Sequence, residues 1–94
     1  MRRHIDSLSG EGQLFQGEEF IGDVSYDLEV YLKGGYGQGR LFEGNISVLE
    51  GARQLIRYEE FVLTLEDGRS LEITTQRQGP HPGDWVVLGE KGFL

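Results

Sequence analysis

The chain contains no cysteine. Disulfides and thiolate metal clusters are therefore excluded, and packing with strand pairing must hold the fold. Proline is nearly absent too: Pro80 and Pro82 are the only two, crowded into Gly79-Pro80-His81-Pro82-Gly83-Asp84. That stretch cannot continue a ladder, because each proline removes a backbone donor. No segment approaches the roughly 20 apolar residues of a membrane-spanning helix. Met1-Arg2-Arg3-His4 is basic but is followed by no apolar run, so no signal peptide is read there and the expected location is cytoplasmic. Positive charge is scarce, with 9 Lys and Arg against 16 Asp and Glu, a net charge of −7. The excess is even: residues 1–47 carry four basic and eight acidic groups, residues 48–94 five and eight. Such a surface repels phosphates, which speaks against nucleic acid or an anionic membrane as partner.

Signatures of chemistry are missing as well. The two histidines, His4 and His81, form no His-x-His or His-x-x-x-His pair, so neither metal nor cofactor is expected. Asp23-Val24-Ser25-Tyr26-Asp27 has the spacing of calcium ligands but lacks the loop glycine and closing glutamate, and reads as a solvated strand face. No serine stands in a Gly-x-Ser-x-Gly context. Glu18/Glu19 and Glu59/Glu60 are adjacent, so in a strand they face opposite sides and cannot share acid–base work. The run Gly34-Gly35-Tyr36-Gly37-Gln38-Gly39 is followed by a strand pattern where a phosphate cradle needs a helix, and reads as a hairpin loop. Tyr31, Tyr36 and Tyr58 could stack bases, but the accompanying basic groove is absent. The expectation is a non-enzymatic protein.

What the sequence does have is alternation. From Ile21 to Lys33, Val24, Tyr26, Leu28, Val30 and Leu32 alternate with Asp23, Ser25, Asp27, Glu29 and Tyr31, the period of a half-buried strand. This is the expected central strand, with Tyr26, Leu28 and Val30 inward. Gly10 to Phe15 reads as a short first strand preceded by partly ordered residues 1–9, and Gln16-Gly17-Glu18-Glu19 as a turn. Residues 40–48 form the next strand, with Phe42, Gly44, Ile46 and Val48 on one face. Ala52, Leu55 and Ile56 have helical spacing, so at most one short helix is expected near 50–57. Phe61 to Glu66 and Leu71 to Thr75 form a hairpin around Asp67-Gly68, the pair favoured in a type I′ turn. Trp85 to Leu88 is a last strand, apolar on both faces.

The 94 residues therefore make one all-β domain over 1–94, able to bury about 60–65% of its unfolded surface. Six strands with hairpin links point to a small antiparallel barrel, with a two-sheet β-sandwich as the alternative. Gly10-Glu11-Gly12, Leu63-Thr64-Leu65-Glu66-Asp67-Gly68-Arg69-Ser70-Leu71 and Gly92-Phe93 resemble stretches of short uncharacterised bacterial β-proteins. The resemblance touches about a third of the chain and implies a bacterial cytoplasmic protein, with no activity to carry over.

One constellation follows from topology. In a meander, successive links alternate between the ends of the barrel, so 16–19, 49–57 and 78–83 share one end. Glu18, Glu19, Arg53, Arg57 and His81 then gather there beside Trp85, a candidate site for a ligand or partner. The two apolar faces of the last strand suggest a further association, with Val86, Leu88 and Phe93 as candidate interface of a homodimer. The leading reading is a small interaction module with a protein partner or itself. The alternative is a small-molecule-binding barrel with its site around His81.

Overall fold

Alternating hydrophobicity yields the expected barrel. The computed structural model describes residues 2–33, 39–50 and 54–94. Six strands, β1 (Arg3–Gln16), β2 (Glu19–Leu32), β3 (Arg40–Glu50), β4 (Glu60–Thr64), β5 (Ser70–Gln78) and β6 (Asp84–Gly89), close in the order β1-β2-β3-β6-β5-β4. Every neighbouring pair is antiparallel. Two three-stranded meanders thus face each other, joined by the link between β3 and β4 and closed by the β3–β6 and β1–β4 ladders.

β2 is the backbone of the core. Val24, Tyr26, Leu28 and Val30 point inward, Asp23 and Asp27 outward, and Glu29 lies half-buried on the outer face. Phe42 and Ile46 from β3, Phe61 and Leu63 from β4, Leu71 and Ile73 from β5, and Trp85 and Val87 from β6 complete the interior. Gly44 is required by close approach: it pairs with Leu28, and a Cβ there would lie 2.0 Å from the Asp27 carbonyl oxygen. No real side chain fits such a gap, so this crossing of β2 and β3 depends on glycine.

Two local expectations are corrected. The first strand begins at Arg3, not Gly10, because the whole of β2 is available as its partner, from Arg3↔Leu32 to Gln16↔Glu19. A continuous ladder outweighs the weak strand preference of His4, Asp6, Ser7 and Ser9. A bulge between His4 and Asp6 absorbs the irregularity. No helix is found near 50–57 among the described residues, within the expectation of at most one; β3 runs to Glu50, and Gln54 to Tyr58 form an irregular turn. Ala52 and Arg53 lie outside the described residues. Leu55 packs against the core at 3% exposure, while Ile56 is exposed.

The hairpin at Asp67-Gly68 is also built differently. Gly68 has the expected positive φ of 92°, but Asp67 does not share it. The Gly68 N–H bonds to the Leu65 carbonyl at 3.0 Å and the Leu65 N–H to the Arg69 carbonyl at 2.7 Å. That is a type I turn over Glu66 and Asp67 followed by a left-handed bulge glycine, a three-residue hairpin loop instead of the two-residue one. Asp67 contributes its side chain, which accepts from the Arg69 backbone at 3.0 Å. The second tight link holds Pro82 and Gly83 (φ 88°) in a turn closed from Asp84 N–H to His81 carbonyl at 3.0 Å, the residue choice of a type II turn.

Candidate functional site

Strand polarity sends the Gly17–Glu18 turn, residues 54–59 and the 79–83 link to one end of the barrel. This link end is where the sequence places its candidate residues. Glu18 and Glu19 are exposed in the first hairpin. The Arg57 Nε donates to the Gln76 carbonyl at 2.8 Å, and the guanidinium lies 4.6 Å above the Tyr58 ring. His81 is exposed, with Nδ1 3.3 Å from Asp84 Oδ2. Asp84 also accepts from the Ser47 hydroxyl at 2.7 Å, and that bond, with His81 behind it, holds its carboxyl below the usual range. Arg53 lies outside the described residues. Trp85 is core, 5% exposed, and offers nothing to a ligand at this end. Among the described residues no ion pair joins Glu18 or Glu19 to Arg57 or His81, so shared location does not make them one cluster.

The residue that organises this end is Tyr58. It is the one non-glycine described with positive φ, at 65°, a conformation costing an L-residue about 1–2 kcal/mol. Its surroundings fix it there. Its N–H bonds to the Thr75 carbonyl at 2.8 Å, and the Thr75 N–H to the Glu59 carbonyl at 3.0 Å. Thr75, fully buried, donates its hydroxyl to the Ile56 carbonyl at 2.6 Å and accepts from the Glu59 N–H at 2.9 Å. The Glu59 carboxylate in turn accepts from the Ile56 N–H at 2.9 Å and from Gln16 Nε2 at 3.2 Å. The link is thus clipped to β5 and β1, and the clip leaves Tyr58 62% exposed.

Phe20, Leu49, Ile56 and Tyr58, four of the six large apolar residues exposed among the described residues, belong to this end, with Leu49 in a separate depression beside Glu11, Gln13 and Asp23. Phe20 packs on Phe15 with ring centroids 5.5 Å apart, and Phe15 pairs across the ladder with Val62. A groove of about 640 Å³ runs from Gln16 and Gly17 past Tyr58 to Val62, with Glu60 and Glu72 along it. Its lining mixes Tyr58, Phe61 and Val62 with Gln16, Glu60 and Glu72, and Glu72 is paired with Lys91 at 2.9 Å. Sequence reasoning met Tyr58 only as a stacking aromatic, and it misses Thr75. Nothing in Arg57-Tyr58-Glu59 signals a left-handed residue, which glycine or asparagine would have done.

A second polar cluster appears where the serines had shown no partner. At the opposite end, His4 Nε2 lies 2.5 Å from Glu29 Oε2, which also accepts from the Ser7 hydroxyl at 2.6 Å. The Ser7 hydroxyl also meets His4 through Nε2, at 3.3 Å. A nucleophile relay requires serine and carboxylate on opposite ring nitrogens; here both use the same one. The cluster is a surface network, and the Ser7 and His4 bonds hold the Glu29 carboxyl below its ordinary value. Tyr31 belongs to it, stacked edge-on with His4 and covered by Arg2, and so cannot form one platform with Tyr58. Among the described residues no group of three or more His, Cys, Asp or Glu is placed to hold a metal.

The interior and the last strand complete the picture. Phe42, Phe61, Leu28 and Ile46 fill the barrel axis. A depression reaching Tyr26 between β1 and the β4–β5 hairpin stops at its hydroxyl, which accepts from the Glu66 N–H at 3.1 Å. Val86 and Leu88 do face outward, each half-buried between polar cross-strand neighbours, Asn45 and Arg77 for Val86, Glu43 and Thr74 for Leu88. Phe93 does not share their face. It turns back over the barrel end, 5.0 Å from the Phe42 ring and bridged to Leu71, with Arg69 stacked above it. No helix among the described residues is long and apolar enough to cross a membrane. Neither a family model, nor a characterised protein, nor a solved structure matches the chain.

Proposed function

We propose that the protein is a small, non-enzymatic, cytoplasmic interaction module, and that its link end is the surface that takes a protein partner. The observation that carries this reading is Tyr58: a bulky aromatic kept in a left-handed conformation, by a buried threonine, with its ring turned to solvent. Strain of this kind persists where the presentation of a side chain is worth its cost. The partner segment would lay an apolar side chain against Tyr58 and Val62 in the groove. Its basic side chains would meet Glu60 in the groove and Glu18 in the turn beside it, Glu72 being paired with Lys91 at 2.9 Å. An exposed tyrosine with an arginine stacked on it is the composition of an interface centre. The acidic charge of the whole chain would speed the approach of such a partner and make it salt-dependent.

The test is native mass spectrometry of the chain purified from its own host, beside a Tyr58→Gly variant handled identically. The expected result is a stoichiometric protein partner on the wild type whose recovery falls at least about tenfold with Tyr58→Gly, while the melting temperature is kept. Equal recovery by both would remove the link end from consideration. A bound small molecule in place of a protein would favour the ligand-binding reading instead.

A further inference from the structure

The groove beside Tyr58 does not end at Glu72. Phe61, Ile73 and Val87 point into the core, so Glu60 and Val62 of β4, Glu72 and Thr74 of β5 and Leu88 of β6 share the outer face of the barrel. A second depression, of about 370 Å³, lies on that face between Glu60, Thr74, Leu88 and Glu90. Glu60 and Glu72 line both depressions. The two therefore form one trough, running from Tyr58 across β4 and β5 to the end of β6.

The far half of this trough is occupied by the chain itself. Lys91, just past β6, reaches back until its Nζ lies 2.9 Å from Glu72 Oε2. The pairing holds the ammonium above its ordinary value, through Glu72 first and through the charge of Glu60 as well. The grip is at the tip only, since the Lys91 side chain is 70% exposed. An exposed pair of this kind is weak, and a competing cation can replace it. Glu60 and Glu90 have no ion-pair partner among the described residues, so the trough holds more negative charge than Lys91 neutralises. Arg57, the nearest cation at the Tyr58 end, is engaged by the Gln76 carbonyl and the Tyr58 ring.

We propose that Lys91 stands in for a partner's lysine or arginine. An extended segment that packs an apolar side chain against Tyr58 and Val62 runs on across β4 and β5, and takes the trough by exchanging its own cation for Lys91. The inference rests on the docking proposed for the Tyr58 groove and adds its regulation. An internal competitor lowers the affinity for every basic segment alike, so a segment that also fills the apolar half gains the advantage over one that is merely basic.

Calorimetric titration with a short, end-capped peptide of alternating leucine and lysine tests it, using wild type, Lys91→Gln, Glu72→Gln, their double variant and Tyr58→Gly. Lys91 and Glu72 lie outside the core, so these variants should keep the wild-type circular dichroism spectrum. Wild type should bind the peptide, and Lys91→Gln should bind it about two- to fivefold tighter, the range that an exposed ion pair spans. The gain should be lost in the Glu72→Gln background, where the lysine has lost its partner. A Lys91→Gln that binds no tighter, while Tyr58→Gly still weakens binding, overturns the exchange and leaves the docking groove standing. A gain that survives in Glu72→Gln overturns it too, because the lost charge would then act without the pairing. A peptide that does not bind, or that binds Tyr58→Gly as tightly as wild type, removes the docking groove and this inference with it.

Discussion

Replacing Tyr58 by glycine separates presentation from packing. Glycine adopts φ 65° without the steric cost of about 1–2 kcal/mol that a side chain incurs. Against this stand the flexibility of glycine in the unfolded chain, about 0.5–1 kcal/mol, and the loss of an exposed arginine–tyrosine contact, about 0.5–1 kcal/mol. The effects nearly cancel, so Tyr58→Gly should melt within a few degrees of wild type, as differences below about 1 kcal/mol do. A buried structural tyrosine would lose far more, and a large fall in melting temperature would show Tyr58 to be packing after all. Asp84 gives a second prediction at this scale. Its carboxyl lies below its ordinary value of 3.8, chiefly through the Ser47 hydroxyl. A depressed carboxylate stabilises the fold above its unfolded pKa and loses that contribution as pH falls through the folded pKa. The melting-temperature difference between wild type and Ser47→Ala should therefore be full near neutral pH and shrink below about pH 4. A difference that grows on acidification would contradict this.

Among the elements, the link from β3 to β4 depends on one hydroxyl. Thr75→Val keeps the volume of the buried side chain but leaves the Ile56 carbonyl and Glu59 N–H without their partner. The expected loss is about 1–3 kcal/mol, or some 4–8 °C per kcal/mol for a domain of this size, with faster hydrogen exchange at Tyr58 and Glu59. Unchanged melting would mean that Leu55 and the backbone bonds of Thr75 to Tyr58 and Glu59 hold the link without the hydroxyl. Thr75 also shows where the sequence stops being legible. Strands that alternate, such as Val24 to Val30 or Phe61 to Leu65, could be read with their inward faces because one buried face imposes period two. Leu71-Glu72-Ile73-Thr74-Thr75 continues that phase, so Thr75 points inward, yet a threonine there reads equally as the strand's polar end. Its role exists only once residues 56–59 are folded over it. The turn at Asp67-Gly68 fails for a similar reason: the glycine's left-handed φ was legible, but the loop length depends on how Leu65 and Arg69 pair. Likewise β1 could not be extended to Arg3 from propensity, since its first half is strand only through its partner.

For the molecule as a whole, the β1–β4 ladder is the weak join of the barrel. It comprises Gln13↔Thr64, Leu14↔Leu63 and Phe15↔Val62, whereas β3–β6, the other closing contact, runs from Phe42 to Ser47. Opening this short ladder breaks few backbone bonds, each worth about 1 kcal/mol net, and leaves both meanders intact. Leu14 and Leu63 are fully buried, so the opening still exposes apolar surface and remains well above thermal fluctuation. Local opening follows the ladders with fewest bonds and contacts, and hydrogen exchange reports it residue by residue. Seam amides of Gln13 to Phe15 and Val62 to Thr64 should therefore exchange at least about tenfold faster than those of Tyr26 to Val30 and Gly44 to Ile46. Gly12 should matter to the same join, because a Cβ there would lie 2.3 Å from the Thr64 carbonyl oxygen. Gly12→Ala should push β4 away and speed seam exchange while β2 and β3 stay protected. Seam amides that exchange with the slowest class would mean that the barrel opens only by unfolding entirely, and that the short ladder is no weaker than the long ones.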